Sequence, residues 1–484
     1  MLFNSYIFIF LFLPIVLIGY FSLNKYKLVY ASKAWLVLSS LFFYSYWNIK
    51  YLPLILISVI VNYAFGTNLA KIKKHKKVLL ITGIVFNLSF LGYFKYYDFF
   101  ISNLNWLLRT DFNLLHLLLP LGISFFTFQQ IAYLVDSYKK ETTEYDFLNY
   151  AIFVTFFPQL IAGPIVHHKE MMPQFAKLKN KVLNYKNLSL GIFIFLIGLC
   201  KKVVIADTFA AYANAGFDVL QSLNFFEAWV TSLSYTIQLY FDFSGYCDMA
   251  IGIGLMFNIK LPINFNSPYK SKNIQEFWKR WHMTLGRFLT DYLYIPLGGS
   301  RNGKLKTYRN LFIVFFLSGL WHGAGWTFIV WGILHAAAVM IHKFWKDLGK
   351  KMHPILAGFI MFNFINITWI FFRAKTFTDV KKVLLGMFDF TTITISDKIM
   401  AFLPFLENLG IRSEHNWLKG VGRAGKTGML QIIILLIICF SFKNSVEQLE
   451  KFKPNKRYLI VSCILFILAI TSQNKVSAFL YFNF

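Results

Sequence analysis

The sequence predicts an all-α integral membrane protein: one polytopic domain over residues 1–484, about eleven transmembrane helices with re-entrant or interfacial pieces, and no separate soluble domain. Three observations predict it. Hydrophobic residues make up 57% of the chain and charged residues only 15%, against roughly 25% charged in soluble proteins. The apolar residues are gathered into runs near the ~20 residues needed to cross a bilayer. The cations, 49 Lys plus Arg against 22 Asp plus Glu for a net charge of +27, fall between those runs instead of collecting in a tail or a compact basic domain.

In chain order, the first run covers 2–23. No basic residue precedes it and no small-residue cleavage site follows, so it reads as a retained helix and not as a secretory signal. Further apolar runs follow at about 34–47, 53–69, 78–97, 114–135, 148–166, 188–207, 225–257, 311–341, 355–372, 429–442 and 458–471. Gly, Pro or paired polar residues interrupt several of them, at 158–164, 245–254, 296–299 and 319–325. Broken backbone at membrane depth survives only where protein or water covers the freed polar groups, so these interruptions are expected to mark an interior cavity.

The placement of charge orients the chain. The basic stretches 71–77 (KIKKHKK), 177–186, 260–309 and 343–351 belong in the cytoplasm by the positive-inside rule. The segment 98–113, with two Asp and one Arg, belongs outside, as does the N-terminus. Juxtamembrane cations that orient helices and attract anionic lipid account for the charge without nucleic acid as a partner. The four cysteines, Cys200, Cys247, Cys439 and Cys463, stand singly in apolar segments and form no zinc-type cluster, so no metal site is expected.

Two segments carry residues suited to chemistry. The first, 240–309, begins YFDFSGYCDMAIG, where Asp242, Ser244 and Asp248 interrupt an apolar run; they are expected to line a pore or tie helices together. It continues with Trp278, Lys279, Arg280, Trp281, His282, Arg287 and Asp291 within fourteen positions. Aromatic and basic residues at helical spacing suit an interfacial amphipathic helix. They also suit a donor site, in which Arg and Lys hold phosphates and Trp stacks on a planar ring. The second segment reads LFIVFFLSGLWHGAGWTFIVWGILHAAAVMIH. Short apolar helices would meet there at a Gly-rich break, with Trp321, His322 and Trp326 beside it. An ionisable residue at that depth is a functional hypothesis by default, and a neutral imidazole accepts a hydroxyl proton near pH 7 and returns it. His335, thirteen residues on, is read as structural.

These stretches, with ISFFTFQQIAYLVDSYK (123–139) and FFPQLIAGPIV (156–166), resemble the membrane-bound O-acyltransferase family. The likeness is strongest in the branch of bacterial polysaccharide O-acetyltransferases that act on alginate and peptidoglycan, and more distant in the D-alanyl transfer proteins of teichoic acids. It covers residues 123–342, taken as the catalytic core. The resemblance implies helices around a central conical pore in the bacterial inner membrane. It implies acetyl-CoA as a cytosolic donor substrate with no bound cofactor, an acceptor from the far side, and a periplasmic esterase-like partner that completes transfer. It places the family's nearly invariant histidine at His322, and its second polar position at His282. Donor-binding residues are then Arg280, Lys279, Trp281, Arg287 and Arg301. Pore-lining residues are Asp242, Ser244, Asp248, Trp321 and Trp326. Thr290, Cys247 and His167 stand where the branch more often has Arg, Ser and Arg; Thr290 removes a cation from the donor side.

Moving an acyl group from a thioester to a hydroxyl needs a base, a route for both substrates and a dry site, and one buried histidine at a helix break offers all three. Of the 49 basic residues only nine are Arg, and Phe, Ile, Asn and Lys are abundant, the mark of an AT-rich genome; this favours peptidoglycan over alginate as acceptor. A rival from another class is a transporter or flippase with a midplane site, against which stands the absence of an inverted repeat in the span pattern. The string GVGRAGKT (420–427) matches a phosphate loop letter for letter but lacks the preceding strand and the α/β unit that such a loop requires. The adjacent His167 and His168 diverge by ~100° if helical and are read as loop residues.

Overall fold

The computed structural model describes the chain except residues 143, 145, 415, 416, 419, 422, 423, 474–476, 478 and 481–484; the side chains of 409 and 424–426 are likewise undescribed. Two positions of the phosphate-loop-like string, 422 and 423, therefore lie outside the described residues. The architecture is helical throughout, with one two-residue parallel pairing of Thr394–Ile395 with Arg412–Ser413.

Among the described residues six helical runs are long and apolar enough to cross a membrane: Phe8–Lys25, Ile49–Lys71, Lys76–Leu108, Tyr185–Val219, Trp326–Asp347 and Pro354–Arg373. The pair Thr427–Ser441 and Ser445–Lys451, bent by 49°, makes a seventh if it is one span. Other sequence-predicted runs form shorter helices, Val29–Ser45 (17 residues), Ile123–Tyr138 (16) and Lys456–Ser472 (17). The 32-residue helix Phe225–Met256 is buried along most of its length and forms the axis of the molecule.

That central helix corrects one expectation. The glycines at 245–254 do not break it. Gly245 and Gly252 are seven residues apart, two turns on one face, and each meets a glycine of Tyr185–Cys200. A Cβ on Gly252 would stand 2.6 Å from the Gly191 carbonyl oxygen, and one on Gly198 would stand 2.5 Å from that of Gly245. Small residues let helix backbones approach this closely where lipid supplies no hydrophobic drive. Two ion pairs lock the same interface. Lys201 Nζ lies 2.7 Å from Asp248, and Lys202 Nζ lies 2.8 Å from both Asp242 and Asp207.

Over 311–341 the two helices expected on either side of the Gly-rich break are present, and they fold back on each other as a helical hairpin. Lys304–His322 runs up, residues 323–325 turn, and Trp326–Asp347 runs back. Gly319 and Gly332 bring the two helices together, since a Cβ on Gly319 would lie 2.5 Å from the Phe328 carbonyl oxygen. The feet meet in a Lys304–Asp347 ion pair at 3.5 Å. Residues 304–309, the end of the first basic stretch, and residues 343–347, the start of the second, therefore fall at the same end of the hairpin.

The basic-aromatic segment is not one amphipathic helix. Short helices Ile274–Trp278 and Met283–Leu289 are separated by a turn in which His282 adopts φ 45° and ψ 50°. The backbone breaks that adjoin one another are this turn, the Phe157–Leu160 helix with the loop after it, and the hairpin tip.

Candidate active site

The site is built where the hairpin tip meets the turn at His282. His322 is the last residue of its helix and is buried. Its Nδ1 lies 2.7 Å from the Ser318 carbonyl oxygen, one helical turn back. A carbonyl oxygen can only accept, so Nδ1 carries the hydrogen and the neutral ring keeps its lone pair on Nε2. The ring is walled by Trp321, Trp331 and Phe372, with centroids 4.9, 4.9 and 5.3 Å away. The turn after His322 must be Gly323, because a Cβ there would enter the Phe328 ring at 2.2 Å.

His282 is fully buried. Phe243 of the central helix packs on it at 4.9 Å, Phe125 at 6.5 Å, and Trp321 edge-on at 6.2 Å. Trp321 thus stands against both histidines. The turn holding His282 is fixed by Asn264, which accepts from Thr284 N (3.1 Å) and Oγ1 (2.7 Å), while Thr284 Oγ1 accepts from Ile165 N at 3.0 Å. Thr284 thereby links the AGPIV loop to the His282 turn. Gly122, at φ 70°, lets the chain pass close to the backbone of Leu160 and Ile161, since a Cβ there would stand 3.0 Å from their carbonyl oxygens, and this delivers Phe125 and Ser124 to the same place. A left-handed backbone at a non-glycine residue costs about 1–2 kcal/mol, and such strain concentrates at functional sites.

The remaining sequence-predicted residues do not all converge here. Arg280 pairs with Glu276 at 3.0 Å and donates to the Asn266 carbonyl at 3.1 Å. Arg287 grips both carboxylate oxygens of Glu170, at 2.7 and 3.1 Å. Lys279 and Arg301 are exposed. Trp281 is 1% exposed, stacked on Phe277 at 5.7 Å and packed on Trp369 at 4.9 Å; it faces the aromatic core, and no donor ring can stack on it as it stands. Asp242 and Asp248 are occupied by Lys202 and Lys201, with further bonds from Leu480 N (2.9 Å) and Ser445 Oγ (2.8 Å). They tie the central helix to its neighbours. Ser244 is buried on the same helix. Trp326 is exposed at the hairpin tip and donates Nε1 to Asn103 at 2.8 Å. His335 is buried beside Trp331 and Trp278, at 4.6 and 5.1 Å.

His167 Nδ1 lies 2.9 Å from Tyr292 Oη, and His168 Nε2 lies 3.3 Å from Glu144. Burial pushes the Glu144 carboxyl up, but the His168 bond and the Asp146 backbone amide outweigh it and hold it below the usual range.

Lys95 was not singled out in the sequence. It lies near the middle of the 33-residue run Lys76–Leu108, on a π-turn covering Gly92–Tyr96. It lines a cavity of about 310 Å³ together with Tyr97, Asp98, Gly323 and Ala324, directly beside the tip that carries His322.

Comparison with known proteins places the chain in a family. The sequence model of MBOAT, the membrane-bound O-acyltransferase family, matches residues 41–377. A peptidoglycan O-acetyltransferase of Helicobacter pylori is 49% identical, over 100% of this chain and 98% of its own. A probable alginate O-acetylase of Pseudomonas aeruginosa is 40% identical over 84% of this chain and 78% of its own. A teichoic acid D-alanyltransferase of Bacillus subtilis is 30% identical over 53% of this chain and 69% of its own.

Proposed function

Because the chain belongs to the membrane-bound O-acyltransferase family and is a multi-pass acyltransferase, we propose that it moves acetyl from acetyl-CoA on the cytosolic side to a hydroxyl presented from the far side, for O-acetylation of peptidoglycan. Peptidoglycan is preferred over alginate because the relative named for it matches over the whole chain, while the alginate relative matches over 84%. The inner membrane is then the location, and a periplasmic esterase-like protein is the partner that passes acetyl to the sugar.

The observation that carries the chemistry is the Ser318–His322 bond, which puts the imidazole hydrogen on Nδ1 and makes Nε2 the ring's acceptor nitrogen. As the hydroxyl oxygen attacks the thioester carbonyl, Nε2 takes its proton. As the carbon–sulfur bond breaks, the same proton returns to the departing thiolate, so no net charge is left behind. The surrounding Trp and Phe rings keep water from competing. His282, across Trp321 from His322, orients the donor carbonyl. Arg280, Arg287, Lys279 and Arg301 supply cations for the donor's phosphates, with Glu276 and Glu170 as the counterions they exchange. The test is His322→Gln. Base-labile acetate on peptidoglycan should vanish while the variant accumulates in membranes at the wild-type level; acetylation retained in a well-expressed variant removes His322 from the base role.

A further inference from the structure

We propose that Lys95 is the positioning residue of the acyl-transfer site, holding the last backbone carbonyls of the hairpin's rising helix so that His322 keeps one orientation. Lys95 Nζ donates to the Trp321 carbonyl at 2.6 Å and to the His322 carbonyl at 3.2 Å, and reaches Ser124 Oγ at 3.3 Å. The next residue joins it, with Tyr96 Oη donating to the Leu320 carbonyl at 2.8 Å. Three successive carbonyls at the end of the helix are thus satisfied by two successive residues of a distant one.

The need is general. The last four carbonyls of any helix lack partners within it, and an orphan carbonyl away from water is costly. The means is local. Neighbouring side chains on an α-helix diverge by about 100°, too far for both to serve one helix end. The π-turn at Gly92–Tyr96 widens the backbone at that point, and single π-turns of this kind recur at functional sites. Among the described residues no carboxylate pairs with Lys95, so its donors are spent on the backbone of Trp321 and His322 and on Ser124. Because His322 is the terminal residue of its helix, the direction of its imidazole depends on whether that last turn stays wound, and the Nδ1 bond to Ser318 spans the same turn.

This inference rests on the assignment of His322 as the base. The experiment compares Lys95→Met, which keeps bulk but cannot donate, and Lys95→Gln, which keeps a neutral donor, with His322→Gln and the wild type. Two readouts are used: base-labile acetate on peptidoglycan in cells at matched membrane levels, and amide hydrogen exchange of the purified protein in detergent. Lys95→Met should lose acetylation on the order of 10- to 100-fold, the penalty of a small misplacement of a catalytic group, and Lys95→Gln should fall between it and the wild type. Exchange should rise in the peptide covering 318–326 and stay unchanged in 225–256. Unchanged exchange at 318–326 in Lys95→Met overturns the inference, and so does wild-type acetylation in Lys95→Met beside an inactive His322→Gln. Exchange raised equally throughout the protein assigns Lys95 to general folding and overturns it too. Retained acetylation in His322→Gln overturns the base assignment itself, and this inference with it.

Discussion

Lys202 and Asp242 form an ion pair at 2.8 Å with side chains only 3% and 2% exposed, inside a chain whose surroundings are lipid. Asp207, equally close to the same Nζ, completes a group of three in which one cation answers two carboxylates. The adjacent Lys201 does the same for Asp248. These are bonds of architecture, and they fix the central helix whose Phe243 packs on His282.

Lys202→Met should therefore act on stability before it acts on chemistry. Removing one partner of a buried pair leaves the other uncompensated, at a cost of about 3–5 kcal/mol. The expected result is a lower thermal transition in detergent and less protein in the membrane, with Lys202→Met/Asp242→Asn recovering part of both. A single variant as heat-stable as the wild type would show that the pair does not hold the helices.

At His282 stability and activity should separate. The backbone there is left-handed, which glycine adopts freely and alanine does not. His282→Gly should therefore be more heat-stable than His282→Ala by about 1 kcal/mol, despite having less to pack. Both should lose acetylation on the order of 100-fold. Equal stability of the two variants would mean that the turn relaxes once the ring is gone.

Arg280 is a third exposed and held by Glu276, a surface position from which it can turn to a phosphate. Arg280→Ala should weaken acetyl-CoA binding by on the order of 10- to 150-fold, the worth of one charge-assisted contact of roughly 1.5–3 kcal/mol. Turnover at saturating donor should change little, as expected for loss of uniform binding. His322→Ala should do the opposite, binding donor normally and turning over none. Calorimetric titration of purified protein measures both, and equal affinity of Arg280→Ala and wild type would leave Arg280 as a brace between Glu276 and Asn266.

The hairpin makes a prediction about sidedness. In a background lacking Cys200, Cys247, Cys439 and Cys463, single cysteines at Lys74, Lys272, Lys306 and Lys350 should all resist membrane-impermeant thiol reagents in intact spheroplasts. One placed at Asn113 should react. Labelling of Lys306 and Lys350 from opposite sides would contradict the meeting of the two feet.

Much of this was legible in the sequence because lipid imposes simple rules: apolar runs become helices, and cations sit between them. His322 stands out as an ionisable residue at a Gly-rich break and His282 as a position the family resemblance supplies, and the structure brings both against Trp321. The rest depended on who faces whom. The glycines at 245 and 252 signal close packing only when their partners at 198 and 191 are known; alone they look like a break. The Gly-rich break at 319–325 is visible in the sequence, but the full reversal of direction there is not, since both helices meet the same solvent. Trp281 sits in a basic-aromatic pattern yet packs inward, because the turn at His282 interrupts the helix on which such a pattern would stay at the interface. Lys95 is marked only by being a cation inside the apolar run 78–97; its partners are backbone carbonyls more than two hundred residues away, which any residue type could have supplied.

The meeting of Lys304 and Asp347 also bears on how this topology is inherited. A segment that leaves and returns by one face adds an even number of crossings however deep it reaches. The sidedness of everything after residue 348 is therefore independent of the depth of the tip, and the tip can shift inward or outward, or gain a turn, without inverting the last third of the chain. Depth of the reacting groups is thereby free to be tuned to an acceptor, while the inside and outside of the protein stay as they were.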